Sequence, residues 1–164
     1  IESNILYGNP DGSETEMKEA AAIAQASDFI EEKNKKYESR IAQGGANVSG
    51  GQKQRLSIAR AIAKQPDVFI FDDSFSALDY KTDVALRKAL KEHTTDSVVL
   101  IVAQRISTIL HAEQIIVLDE GKVVGRGTHE ELLKTCEVYQ QIAMSQLSEE
   151  ELAGKLGKEE KSHE

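Results

Sequence analysis

Apolar residues recur three and four apart in some stretches of this chain and form short unbroken runs in others. Over Ser13 to about Ala26, Met17, Ala20, Ala21 and Ala24 share one helical face, and Ser13 with Glu16 has capping-box spacing. A shorter helical piece is expected near Asp28 to Glu32. Leu56, Ile58, Ala59, Ile62 and Ala63 give a second face. Ser49 with Gln52 fits the S-x-x-Q capping box, so this helix starts at Gly50-Gly51 and ends at Gln65-Pro66-Asp67. Val68-Phe69-Ile70-Phe71 is continuously apolar, which predicts a strand buried on both faces of a parallel sheet. A helix to about Glu92 follows, with Leu86, Ala89 and Leu90 inward. Val98 to Ala103 predicts a second buried strand and Ile115 to Leu118 a third, turned at Glu120-Gly121 into Lys122-Val123-Val124. Thr128 with Glu131 caps another helix, and a last helix covers roughly Val138 to Leu147. Strand and helix alternate, which argues for an α/β fold with a largely parallel sheet. Ser148 to Glu164 is mostly charged without a clear apolar face, and a loose tail is expected there.

Composition narrows the classes. The 164 residues suffice for one domain with a sizeable core. A net charge of -8 argues against a nucleic-acid surface, because phosphate repels acid. The polar run Lys33 to Arg40 reads as a solvated surface. A single cysteine, Cys136, excludes an internal disulfide, fits a reducing compartment and reads as a packing residue. The longest apolar run, Val98 to Ala103, is far too short to cross a bilayer, and no signal peptide is visible. The chain opens on Ile1, already inside a patterned segment, so a soluble piece of a longer protein is expected. His93, His111, His129 and His163 read as surface or helix-end residues.

Val48-Ser49-Gly50-Gly51-Gln52 carries the first chemical signal. Adjacent glycines let a ligand come close to the backbone. A helix start presents N–H groups and the positive end of the macrodipole, which suits phosphate. These residues resemble the L-S-G-G-Q signature of ABC ATPases, with Val48 in the first place. From about Ile5 to about Gln146 the chain resembles the nucleotide-binding domain of ABC transporters, exporters in particular. The resemblance implies a P-loop NTPase-like α/β fold. Residues 1–65 would be a helical subdomain with the signature, 66–147 the C-terminal part of the RecA-like ATPase core, and 148–164 a charged tail. Ile1 to Gly8 is similar to the segment that follows the Q-loop in exporters, so the N-terminal sheet and the Walker A loop would lie outside this sequence. Where exporters often carry G-E-R-G, this chain has Ala42-Gln43-Gly44-Gly45, without the charged pair.

ATP hydrolysis needs a phosphate cradle, a magnesium ligand, a group that orients water and a γ-phosphate sensor. No G-x-x-x-x-G-K-[ST] occurs in the sequence, so these residues alone should bind ATP poorly or not at all. Asp72 matches the Walker B aspartate that holds Mg2+. Asp73 stands at the position of the family's catalytic glutamate. Its side chain is one methylene shorter, which retracts the carboxylate by roughly 1.5 Å. Positioning errors of that size can cost about a hundredfold in rate, so weak activation of water is expected. Gln104 stands at the switch histidine. It can donate a hydrogen bond to a γ-phosphate but cannot carry a proton or a positive charge.

The resemblance further implies that Val48, Ser49, Gly50, Gly51 and Gln52 close over ATP held by the opposite domain of a head-to-tail dimer. Asp79 matches the D-loop aspartate at the dimer seam. An intact signature beside altered Asp73 and Gln104 resembles the degenerate half of a heterodimeric exporter. Its partners would be a second nucleotide-binding domain and a transmembrane domain of the same parent chain, at the cytoplasmic face of the cell membrane, with no nucleic acid. A homodimeric exporter, a nucleotide-gated dimerisation module with little turnover, and a soluble ABC protein are the alternatives.

Overall fold

The computed structural model describes residues 1–146. They form two compact units, Ile1–Val102 and the part that begins at Ala103. The tail expected at 148–164, and Leu147 at the end of the last predicted helix, lie outside the described residues.

The first unit is built on α1 (Glu2–Ile5), α2 (Glu14–Ile23), α3 (Ser27–Glu31), α4 (Gly50–Ala63), β1 (Val68–Asp72), α5 (Tyr80–His93) and β2 (Val98–Val102). Both capping boxes expected here are formed. Ser13 and Glu16 exchange bonds at the start of α2, and Ser49 and Gln52 do so at the start of α4. The apolar faces meet in one cluster. Ile5, Met17, Ala20, Ala21, Ile30, Leu56, Ala59, Ile62, Phe69, Phe71 and Leu86 are buried in it. The division expected between residues 65 and 66 therefore falls inside this unit, since Phe69 and Phe71 share the cluster with Leu56 and Ile62.

β1 and β2 pair in parallel, with Val68 opposite Val98 and Asp72 opposite Val102. The expectation of two-sided burial needs correction. Phe69 and Phe71 are buried, but Val68 is 52% and Ile70 67% exposed. Val98, Leu100 and Val102 are exposed on the paired strand. Within this unit the sheet has two strands, and the core cluster lies on the Phe69–Phe71 side.

The second unit contains α6 (Ile106–Ile109), β3 (Ile115–Asp119), β4 (Lys122–Gly127), α7 (His129–Thr135) and α8 (Glu137–Gln146). β3 and β4 form an antiparallel hairpin, so the described sheets are one parallel and one antiparallel pair. Glu120 and Gly121 both have positive φ, at 45° and 76°, as a tight hairpin turn of this hand requires. Val117 faces Gly125 and Leu118 faces Val123, so the register steps past Val124 in a bulge. Thr128 and Glu131 form the expected capping box on α7. Ile106, Ile115, Val117, Leu132, Cys136, Tyr139 and Ala143 make the core, which bears out the packing role of Cys136. His129 is at a helix end as expected but not at the surface. It is buried, and its Nδ1 lies 2.8 Å from the Tyr139 hydroxyl. An imidazole nitrogen can share a hydrogen bond with a buried hydroxyl in this way, which a surface assignment by residue type overlooks. No helix among the described residues is long and apolar enough to cross a membrane.

Candidate functional site

The start of α4 is the centre of the candidate site in the first unit. Ser49 is extended, at φ -69° and ψ 165°, as an N-cap must be. Its Oγ accepts the Gln52 N–H at 3.2 Å, and the Gln52 Oε1 accepts the Ser49 N–H at 3.1 Å. The hydroxyl proton is left to donate elsewhere. The N–H groups of Gly50 and Gly51 belong to the first helical turn and have no intrahelical acceptor.

The two glycines answer to different demands. A Cβ on Gly51 would lie 2.9 Å from the Ala77 carbonyl oxygen, so the close packing of α4 on the segment after β1 requires glycine there. A Cβ on Gly50 would meet only the Ala77 Cβ, at an ordinary 3.5 Å. Its φ is not positive. Among the described residues nothing thus requires glycine at 50, the first residue of α4.

Gln54, one turn further on, is a residue that motif matching passed over. Its Nε2 donates to the Asp73 carbonyl and to the Ser76 Oγ, each at 3.2 Å. Its Oε1 accepts the Ala77 N–H at 2.9 Å. The Ser76 hydroxyl also donates to the Asp73 carbonyl at 3.1 Å. One amide therefore ties the signature helix to the turn that carries Asp73 and to the segment leading to Asp79. A glutamine on the polar side of an amphipathic helix gives no sequence signal for such a role.

Asp72 ends β1 with an exposed side chain. Asp73 follows with φ 48°, a left-handed conformation that aspartate tolerates better than most residues. Its N–H donates to the Val102 carbonyl at 3.2 Å. Bonds at both its N–H and its C=O hold the backbone in this conformation. Among the described residues no group of three or more His, Cys, Asp and Glu side chains could hold a metal ion by itself. One exposed carboxylate at a strand end fits Mg2+, which keeps waters and takes further oxygens from phosphate.

Asp79 is the N-cap of α5. Its Oδ1 accepts the Thr82 N–H at 3.0 Å and its Oδ2 the Thr82 hydroxyl at 2.7 Å. These bonds hold the Asp79 carboxyl below the usual carboxylate range. Behind the signature, Lys53 donates to the Gly44 carbonyl at 2.9 Å. Arg55 lies over the Phe29 ring at 4.8 Å and donates to the Gln25 carbonyl at 2.7 Å. Arg60 donates to the carbonyl and the side chain of Asn4, which binds the N-terminal segment to α4. Asn47 bridges the loop before the signature: its Oδ1 accepts the Ala42 N–H at 2.9 Å and its Nδ2 donates to the Arg40 carbonyl at 2.8 Å.

The first unit therefore brings Ser49, Gly50, Gly51, Asp73 and the segment toward Asp79 together through Ala77 and Gln54. Val48 sits just before the cap, with its N–H bonded to the Gly45 carbonyl at 3.2 Å. Gln104 belongs to the second unit, where it is exposed and its carbonyl accepts from the Gln146 Nε2 at 2.8 Å.

Residues 3–76 match the ABC transporter family. An uncharacterized ABC transporter ATP-binding protein of Mycobacterium tuberculosis is 46% identical over 89% of this chain and 25% of its own length. A Bacillus subtilis ABC transporter ATP-binding protein is 45% identical over 87% of this chain and 24% of its own. A Staphylococcus aureus protein named for multidrug export ATP-binding/permease function is 41% identical over 87% of this chain. The chain thus spans about a quarter of the length of the curated relatives it matches. A solved structure of a bacterial Atm1-family ABC exporter with ATP bound superposes with a TM-score of 0.86, at 32% identity, over 90% of this chain and 26% of that one. With the signature at a capped helix start, the Asp72-Asp73 pair at a strand end and this mixed helix–sheet ABC ATPase fold, the chain belongs to the ATP-binding domains of ABC transporters.

Proposed function

We propose that this chain is part of the ATP-binding and hydrolysing subunit of an ABC exporter, and that it presents its signature to ATP held by a partner domain. The observation that carries this reading is Gly50. It is a glycine at a helix start that none of the described residues sterically requires. Close approach of something outside the chain supplies that need, and the adjacent N–H groups and Ser49 hydroxyl make an anion the natural occupant. The exporter names of the relatives and of the solved structure agree.

In this reading the Ser49 hydroxyl and the Gly50 and Gly51 N–H groups stabilise charge that develops on a γ-phosphate. They are preorganised because Gln52 caps the first turn and Gln54, one turn on, ties α4 to the Asp73 turn. Mg2+ bound at Asp72 would supply charge neutralisation on the phosphates. The chain's own half-site is weak. Asp73 reaches the water less far than a glutamate, and Gln104 offers a neutral amide. The parent protein would be a half-transporter with its own transmembrane domain, at the cytoplasmic face of the membrane, paired with a different half-transporter. These residues alone bind ATP poorly, for want of a phosphate loop.

The test is steady-state ATP turnover of a full-length polypeptide carrying this sequence, alone and co-purified with a candidate partner half. Asp73→Glu and the Asp73→Glu/Gln104→His double variant serve as controls. Turnover only in the pair, little changed by the Asp73 variants, is the expected result. Full turnover alone would replace the heterodimer by a homodimer. ATP-dependent pairing with negligible turnover in every combination would favour a nucleotide-gated dimerisation module, a reading that Asp73 and Gln104 also suit.

A further inference from the structure

The second unit contains a contact that no motif predicts. The side-chain amide of Gln146, in the last described turn of α8, reaches back to the loop around Gln104. Its Oε1 accepts the Ile106 N–H at 2.9 Å, and its Nε2 donates to the Gln104 carbonyl at 2.8 Å. These two backbone groups belong to the peptide planes on either side of the Arg105 Cα. One planar amide thus fixes both planes at once. Beside it, the Thr108 N–H donates to the Arg105 carbonyl at 3.1 Å and Ile106 is buried. Arg105 is the N-cap of α6 but makes no side-chain capping bond, so the cap at the first amide of α6 comes from Gln146 instead. α6 is a single turn of four residues and cannot order its own entry. The alignment of this turn on α8 is secured independently, because Ile106, Tyr139 and Ala143 are buried in one cluster.

We infer that Gln146 is a positioning residue for the nucleotide-sensing loop: it sets the backbone from which the Gln104 side chain projects. This rests on the reading of Gln104 as a γ-phosphate sensor. A sensor that carries only a neutral amide has no charge to act beyond hydrogen-bond distance, so its placement matters more than that of a charged group. Because the same amide serves Gln104 and Ile106, its two bonds can be separated by substitution. Gln146→Glu keeps an acceptor for the Ile106 N–H and loses the donor to Gln104. Gln146→Leu loses both.

The test uses a full-length polypeptide carrying this sequence. Amide hydrogen exchange at Ile106, thermal stability, and the ratio of ADP to ATP dissociation constants under non-hydrolysing conditions are measured for Gln146→Glu, Gln146→Leu and Gln104→Ala. Exchange at Ile106 should rise in Gln146→Leu and stay near the parent value in Gln146→Glu. Preference for ATP over ADP should fall in both, by roughly three- to tenfold, the worth of one or two hydrogen bonds. Gln104→Ala should lose the same preference. Loss in Gln104→Ala with both Gln146 variants unchanged overturns the positioning role and leaves the sensor reading standing. An unchanged preference in all three overturns both. A preference that tracks thermal stability, so that Gln146→Glu behaves as the parent, reduces Gln146 to a structural cap.

Discussion

Replacing Gln54 separates bracing of the signature from its chemistry. Gln54→Leu removes bonds of 3.2, 3.2 and 2.9 Å to Asp73, Ser76 and Ala77. Each would contribute about 0.5–1.5 kcal/mol if fully sheltered. The sum is smaller here for two reasons. Ala77 and Ser76 are exposed, so water can take over, and the Ser76–Asp73 bond survives the substitution. A net loss of about 1–2 kcal/mol is expected. Gln54→Glu keeps the acceptor for the Ala77 N–H and has no proton for the Asp73 carbonyl, so it should cost less. Both should slow turnover more than they destabilise. The Asp73 turn and Ala77 would no longer be held against the first turn of α4, and misplacement of about 1 Å costs on the order of a hundredfold. The assay pairs thermal unfolding with ATP turnover at saturating ATP in the assembled transporter. Lower stability with unchanged turnover in both variants would show that the network braces the unit without positioning the site, and the argument would fail.

Other consequences are nearer to the fold. A Cβ on Gly125 would stand 2.7 Å from the Cys136 Sγ and 3.0 Å from the Leu132 Cδ2. Gly125→Ala should therefore cost about 1–3 kcal/mol in denaturant unfolding, with partial rescue by Cys136→Ala. Burial pushes the Tyr139 hydroxyl up to about 12. The folded chain keeps this phenol neutral while the unfolded chain ionises near pH 10, so stability is full below about pH 10 and falls by about 2–3 kcal/mol as pH rises through 12. Tyr139→Phe should flatten that alkaline limb in unfolding curves followed by near-UV circular dichroism. Glu16, Asp79 and Glu131 are held below the usual carboxylate range by backbone and hydroxyl donors of Ser13, Thr82 and Thr128. Their contribution is present above about pH 4 and disappears as pH falls through the lowered values, so helical signal should drop there, and less so in a Glu16→Gln/Asp79→Asn/Glu131→Gln variant.

Much of the fold was legible because its signals are local. The capping boxes at Ser13, Ser49 and Thr128, the helical face through Leu56 to Ala63 and the Glu120-Gly121 turn each depend on residues within a few positions of one another. The strands showed where locality ends. Val68-Phe69-Ile70-Phe71 states that a strand forms, but which side is covered depends on elements far along the chain. Buried His129 is a similar case, since its partner Tyr139 is on another helix. The residues of the candidate site in the first unit were legible as motif positions, from Val48 to Gln52 and at Asp72, Asp73 and Asp79, and so was Gln104 in the second unit. Their supports were not. Gln54, Asn47, Arg60 and Gln146 act on backbone groups 5 to 56 residues away, and backbone acceptors leave no residue-type pattern to match. The left-handed backbone at Asp73 was equally hidden, and it gives aspartate a conformational reason to stand there.

The central claim is that the start of α4 serves ATP bound by another domain. The most direct measurement is turnover at each composite site of the paired transporter, resolved by trapping nucleotide at one site at a time, for Ser49→Ala and for Asp72→Asn in this chain. The account predicts that Ser49→Ala abolishes turnover at the site built on the partner's phosphate loop and that Asp72→Asn leaves that site largely active. Loss of turnover only at this chain's own half-site in Ser49→Ala, with the partner's site unaffected, would contradict it.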